Sequence, residues 1–525
     1  MTNVPNLTTE AILPVMCRRT RRIVPILSCL LGLCLVIVLV RETPAAGNSK
    51  QIAVINREYE KTRSEFQAHL AELASSCDQK QLTDLARDIR QWAIPFEEQP
   101  DDVDKLPTQV VPDIPSTLPM PEFDLRVQVR KARVEYARKL YLLVKKSQSE
   151  KYASRAYGLT RELLFHDPDH KAARSLMGYK LAGDEWTTPF ALRMKKEGRV
   201  WDDRFGWIPE KHLPRYEAGE RFIEETGKWV TQEREAILRA DFKNGWEIKT
   251  EHFFVKTNHS QEQGVALAAH VEQFHDYFMR DFAAFFQTPQ QMAKLLTGAA
   301  EVEEKALHDI NYFRTREEFV SAIIANCPVA NEILGFYYPP DRIAHFFHNP
   351  AAAPEAALET LYHEVTHQLL AESSSQIIPV GNDRDFWVVE GLACYLESFQ
   401  VLEDGTFSVG NIDHPRMQAA RRQLVEDEEY EPLERFCLMG RLKFQQGQRP
   451  ELQLRYAQAT GLSHFFMNYK DGLYKDGFIE FMSQLYSPDQ RVRSKAKPIY
   501  EILGVPPKDL DTQYVGYIKT MGPLE

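Results

Sequence analysis

Two histidines and a glutamate, in the run His363-Glu364-Val365-Thr366-His367, constrain this chain more tightly than any other feature. On an α-helix, residues four apart lie about 40° apart around the axis and about 6 Å along it. Both imidazoles then reach one metal ion from one face. Glu364 lies on the adjoining flank, where its carboxylate can take a proton from an attacking water. Ala356, Ala357, Leu358, Leu361, Val365, Leu369 and Leu370 recur at helical spacing and predict that helix. The short pattern also arises by chance in long chains, so a third ligand decides the reading.

Downstream runs Trp387-Val388-Val389-Glu390-Gly391-Leu392-Ala393-Cys394-Tyr395-Leu396-Glu397, a second apolar stretch expected to be helical. Glu390 and Glu397, seven apart, share a face about 20° wide. Glu390 is the expected third ligand for Zn²⁺. Glu397 is either an acceptor that orients a ligand histidine or a solvated helix residue. Cys394, one turn after Glu390, reads as a small core residue near the metal.

The pair of motifs resembles the gluzincin metallopeptidases, in which two histidines of H-E-x-x-H and a glutamate on a following helix hold zinc, often in a W-x-x-E-G-x-A-x-Y setting. Trp387, Glu390, Gly391, Ala393 and Tyr395 reproduce that setting, 23 residues beyond His367. Metzincins need a third histidine six residues after the second, and that position is Ser373. Within gluzincins the chain is similar to an uncharacterised family of secreted bacterial gluzincin-like proteins, over roughly residues 245–490. The softer parts of the likeness are Glu251–Asn258 as an opening strand, Ile333–Tyr338 and Arg342–Phe347 as a strand pair, and Tyr456 at the start of a long closing helix.

The resemblance implies an α+β fold, with a small antiparallel or mixed sheet and helices carrying the zinc site. It also implies hydrolysis of peptide bonds by a zinc-activated water, with Glu364 as general base. Gluzincins supply an oxyanion donor from a later tyrosine or histidine. Tyr456, 66 residues after Glu390, is the first candidate and His464 the second. Each also fits ordinary packing. The strand pair, turning at Pro339-Pro340-Asp341, either offers a sheet edge to an extended peptide or is only a hairpin. His345 and His348 fall outside any ligand spacing and read as structural or exposed.

The formal net charge is −11. Residues 1–46 carry five arginines against two acids, a net +3, which leaves −14 on the remainder. An acidic body without aromatic-basic motifs excludes general nucleic-acid binding. Arg18-Arg19-Thr20-Arg21-Arg22 precedes eighteen uncharged residues, Ile23 to Val40, and then Pro44-Ala45-Ala46-Gly47. This reads as a signal peptide or an uncleaved membrane anchor. Either exports the body to the periplasm, the cell surface or the medium, with the membrane met only through that segment. Met16 is an alternative start. Cys77, Cys327, Cys394 and Cys437 remain beyond the leader, too few for a disulfide scaffold; a single Cys327–Cys437 bridge is the expectation.

After the leader (1–46), the expected order is a helical segment with a Pro-rich acidic linker (47–122), then a tetratricopeptide-like helical hairpin (123–182). The hairpin comprises helices Val127–Lys146 and Ser149–Phe165 and a third over Lys171–Leu181. It reads as a packing module or a docking point for a protein partner. Residues 183–244 repeat W-x5-L-x5-G, with Trp186, Leu192, Gly198 and then Trp207, Leu213, Gly219, and predict short β-hairpins. Trp229 continues the tryptophan spacing alone. The metallopeptidase domain (245–490) and a helical tail (491–525) follow. The expected activity is an exported zinc metallopeptidase acting on a peptide or protein substrate. The alternatives are a gluzincin-fold binding protein with little or no turnover, and a zinc amidase acting on cell-wall linkages.

Overall fold

The main sheet has five strands: β1 (Trp246–Lys249), β2 (Phe253–Thr257), β3 (His308–Phe313), β4 (Gly335–Tyr338) and β5 (Ile343–Phe347), in the order β4-β5-β3-β2-β1. Parallel pairs β5–β3 and β3–β2 form its centre, and antiparallel partners close each side. In β2 the alternation is clean, with Phe253, Val255 and Thr257 buried between half-exposed neighbours. Helix Gln261–Asp281 covers this face with Val265, Ala268, Val271, Phe274 and Phe278, and Ser260 caps its start by accepting from the N–H of Gln263. The mixed sheet and its helices make the fold α+β.

The computed structural model describes residues 45–96, 107–300, 306–402 and 407–521. The leader, apart from its last two residues, lies outside these. Among the described residues, no helix is long and apolar enough to cross a membrane.

The N-terminal helices Ala45–Gln79, Thr83–Trp92, Met120–Ser149 and Ala153–His166 share one apolar core, which Phe66, Leu70, Ile89, Leu140 and Leu163 represent. The hairpin's apolar faces are thus covered by the preceding helices and by Ala283, Met292, Leu295 and Leu296 from later ones, without further repeats. Part of the expected linker is held down: Arg126, Arg130 and Arg133 donate to the carbonyls of Asp113, Pro112 and Val111. The third helix is shorter than expected. It ends at Leu176 rather than Leu181, because Gly178 takes a left-handed φ of 82° and turns the chain into a strand at Lys180–Ala182.

The tryptophan repeat is three hairpins, Lys180–Thr187, Arg199–Pro209 and Glu220–Thr231, each followed by a short helix. Trp186, Trp207 and Trp229 each sit in a second strand, and the repeat leucines Leu192 and Leu213 lie in the short helices. The third unit departs from the pattern for a visible reason. Glu235 stands in the leucine's place, buried, with a carboxylate oxygen 3.6 Å from the buried guanidinium of Arg221.

The C-terminal helices pack against helix Phe386–Leu396. The closing helix starts at Arg449, seven residues before Tyr456; Phe466 packs against Trp387 and Phe478, and Leu462 and Phe465 bury in the same core. The last helix, Pro507–Lys519, adds Leu510, Tyr514 and Ile518 to the same core. The expected tail is therefore part of the body, and Pro44–Glu525 forms one compact unit. The Cys327–Cys437 bridge is not formed. All four described cysteines are free and buried, Cys327 beside Phe319 and Phe347 and Cys437 in the main core.

Candidate metal centre

Helix Pro354–Glu372 carries the H-E-x-x-H run, and helix Phe386–Leu396 carries Glu390. We refer to these as the motif helix and the glutamate helix. Leu361, Val365 and Leu369 anchor the first in the core, which turns His363 and His367 toward the second. Gly391 sets how close the glutamate helix lies to the closing helix. A Cβ there would meet the Ala459 carbonyl oxygen at 2.4 Å and the Ser463 hydroxyl at 2.8 Å. Only glycine fits that crossing.

The side chains of His363, His367 and Glu390 converge. The two Nε2 atoms are 3.2 Å apart, and Glu390 Oε2 lies 3.7 Å from one and 3.9 Å from the other. Donors about 2.0–2.1 Å from a tetrahedral ion stand about 3.3–3.4 Å from one another. The observed triangle therefore fits a single divalent ion with small adjustments. The nitrogen and carboxylate donors suit a borderline ion such as zinc.

Each donor is held from behind. Glu397 Oε1 accepts from His363 Nδ1 at 2.8 Å, which leaves the lone pair of Nε2 facing the centre. Glu397 is itself gripped by Arg416, whose Nε and Nη2 lie 2.8 and 3.0 Å from its two oxygens. Burial works against its charge, yet His363 and Arg416 draw the Glu397 pKa down to about 2. Burial also opposes charge on His363, but contacts with Cys394 and Glu397 raise its pKa well above the ordinary value. Burial and the neighbouring His363 push His367 down to about 4. Burial raises Glu390.

Arg416 has no sequence signal, since nothing in its spacing from Glu397 marks it. Arg416→Ala should weaken metal affinity by about tenfold or more, because Glu397 loses its clamp and His363 its fixed orientation. Competition against a chromophoric chelator reads that change, and unchanged affinity counts against the positioning role.

Glu364 stays outside the triangle. Its Oε2 accepts the backbone N–H of Tyr337 in β4 at 2.8 Å. Gly335, two residues earlier, allows the approach: a Cβ there would meet Thr360 Cγ2 at 2.9 Å and Glu364 Cγ at 3.0 Å. β4 is the outer strand of its sheet, so Gly335 and Tyr337 direct backbone groups away from β5 and toward the site.

Tyr456 lies near the centre, beside Glu390. Burial and that carboxylate push its pKa upward, so it remains a protonated donor. His464 does not reach the centre. Its Nε2 lies 2.9 Å from the Gly410 carbonyl oxygen and its Nδ1 is 3.0 Å from the Tyr517 hydroxyl. His345 is buried on β5, where burial lowers its pKa to about 4, and His348 meets the Tyr312 hydroxyl.

Residues 357–486 match a family described as protein of unknown function (DUF1570), a span that includes His363, His367, Glu390 and Tyr456. No curated protein matches the chain.

Proposed function

We propose that the chain is an exported zinc metallopeptidase of gluzincin type. The observation that carries this reading is the convergence of His363, His367 and Glu390 on one point, with Glu364 beside them against an open sheet edge. A divalent ion held by those three side chains supplies Lewis acidity to the scissile carbonyl and to water. Glu364 takes the proton of the attacking water and later passes it to the leaving amine. The outward backbone groups of Gly335 and the carbonyl of Tyr337, whose N–H Glu364 already takes, suit an extended peptide added as a further strand. Tyr456, a phenol beside Glu390, is the donor proposed for the oxyanion. The arginine-flanked apolar leader supports export.

One observation favours a second reading, a binding protein with weak turnover: the Tyr456 hydroxyl lies beside the Glu390 carboxylate, which raises its pKa. Digestion of a peptide library beside cell-wall fragments tests the substrate class. Cleavage among the peptides supports the peptidase. Cleavage of wall fragments alone makes the protein an amidase, and no cleavage of either supports the binding protein.

A further inference from the structure

Three histidines gather away from the centre described above. His252 precedes β2 and His308 opens β3, and the His308 N–H donates to the His252 carbonyl at 2.8 Å, which sets the two residues side by side. Helix Gln261–Asp281 adds Glu272, His275 and Asp276 from one face, at positions i, i+3 and i+4. The imidazoles of His252 and His275 stack with centroids 3.8 Å apart, and that of His308 lies 6.3 Å from His275. These side chains line a cavity of about 1220 Å³ between the tryptophan hairpins and the sheet. Glu372, nine residues beyond His363 on the motif helix, lines it too. That places Glu372 about 13 Å along the helix axis from His363 and about 7.5 Å from His367.

Two of the imidazoles are gripped as His363 is. Glu272 accepts from the backbone N–H and the Nδ1 of His252, both at 2.7 Å. Glu372 takes Nδ1 of His308 at 2.7 Å. A carboxylate on Nδ1 fixes the tautomer and leaves Nε2 with its lone pair, the state a metal ligand needs. Ordinary ion pairs would require one histidine and one acid each. Here three imidazoles and the carboxylates of Glu272, Asp276 and Glu372 face one cavity, and donor atoms of His252, Glu272 and His275 lie within 4.8 Å of one another.

We propose that His252 and His275 hold a second divalent transition-metal ion, with Glu272 orienting His252 from behind and Asp276 and His308 completing the site. Mixed nitrogen and oxygen donors select ions such as Zn²⁺ or Co²⁺ over Ca²⁺ or Mg²⁺. An ion there ties the start of the sheet to the helix that covers it. Glu372 also accepts from the Tyr337 hydroxyl at 3.2 Å, so the cluster is connected to the strand that meets Glu364.

Titration of the chelator-stripped full chain with Co²⁺, followed by its visible absorption, tests this independently of any peptidase activity. The expected result is two equivalents for the wild type, one for His363→Ala, and one for His252→Gln with His275→Gln. The equivalent retained by that double variant shows that it still folds. If it binds none, His252→Gln alone decides, at a side chain 34% exposed. One equivalent in that variant supports the site, and two overturn it. A wild type that binds a single ion, lost in His363→Ala, also overturns it.

Discussion

Glu364→Gln is expected to reduce peptide hydrolysis by on the order of 10³-fold or more while the protein keeps its metal. The amide matches the carboxylate in size, and its oxygen can still accept the Tyr337 N–H that holds position 364 at 2.8 Å. What it cannot do is take a proton from water. The three converging donors are His363, His367 and Glu390, so the ion has no reason to leave. Initial rates on a cleaved peptide, read beside elemental analysis of the same preparation, separate the two effects. A glutamine variant working at the wild-type rate would remove Glu364 from the mechanism.

Gly391→Ala should lose about 3 kcal/mol of stability, at the upper end of overpacking costs. The added methyl would meet Ala459 O at 2.4 Å and Ala459 C at 2.7 Å, backbone atoms that can yield only if the closing helix shifts. Glu390 is the preceding residue, so the glutamate helix would carry a metal ligand out of place as it moved. Lower stability to denaturant should therefore come with weaker zinc binding. By contrast, the close contacts at Gly335 are with side chains of Thr360, Glu364 and Phe346, which have more freedom to move. Denaturant unfolding of Gly391→Ala checks the first effect, and a chelator competition checks the second. An alanine variant as stable as the wild type contradicts the packing assigned to this crossing.

How much was legible beforehand follows from which interactions are local. His363 and His367 are tied by helical period, so helix geometry predicts that they face one ion, whereas Glu390 is on another helix and is marked by the gluzincin-like setting from Trp387 to Tyr395. Glu397 was legible as one of two options, and only the 2.8 Å contact with His363 selects between them. Arg416 and the Tyr337 N–H come from elements brought in by tertiary packing, which no spacing encodes. The cysteine pairing failed for the same reason: a count of unpaired thiols carries no distance between Cys327 and Cys437. The tryptophan hairpins were visible as a repeat, but the third unit was hidden because Glu235 replaces leucine and is paired with Arg221. The second histidine cluster draws on positions 252, 272, 275, 308 and 372, a scatter without any motif.

The central claim is hydrolysis carried by a metal ion on His363, His367 and Glu390. Its most direct test compares one peptide-library digest across three states of the full chain: zinc-loaded, stripped by a chelator, and stripped with zinc restored. Cleavage in the first state, its loss in the second and its return in the third are the expected results. Cleavage that survives removal of the metal, or a zinc-loaded protein that leaves every peptide intact, contradicts the claim.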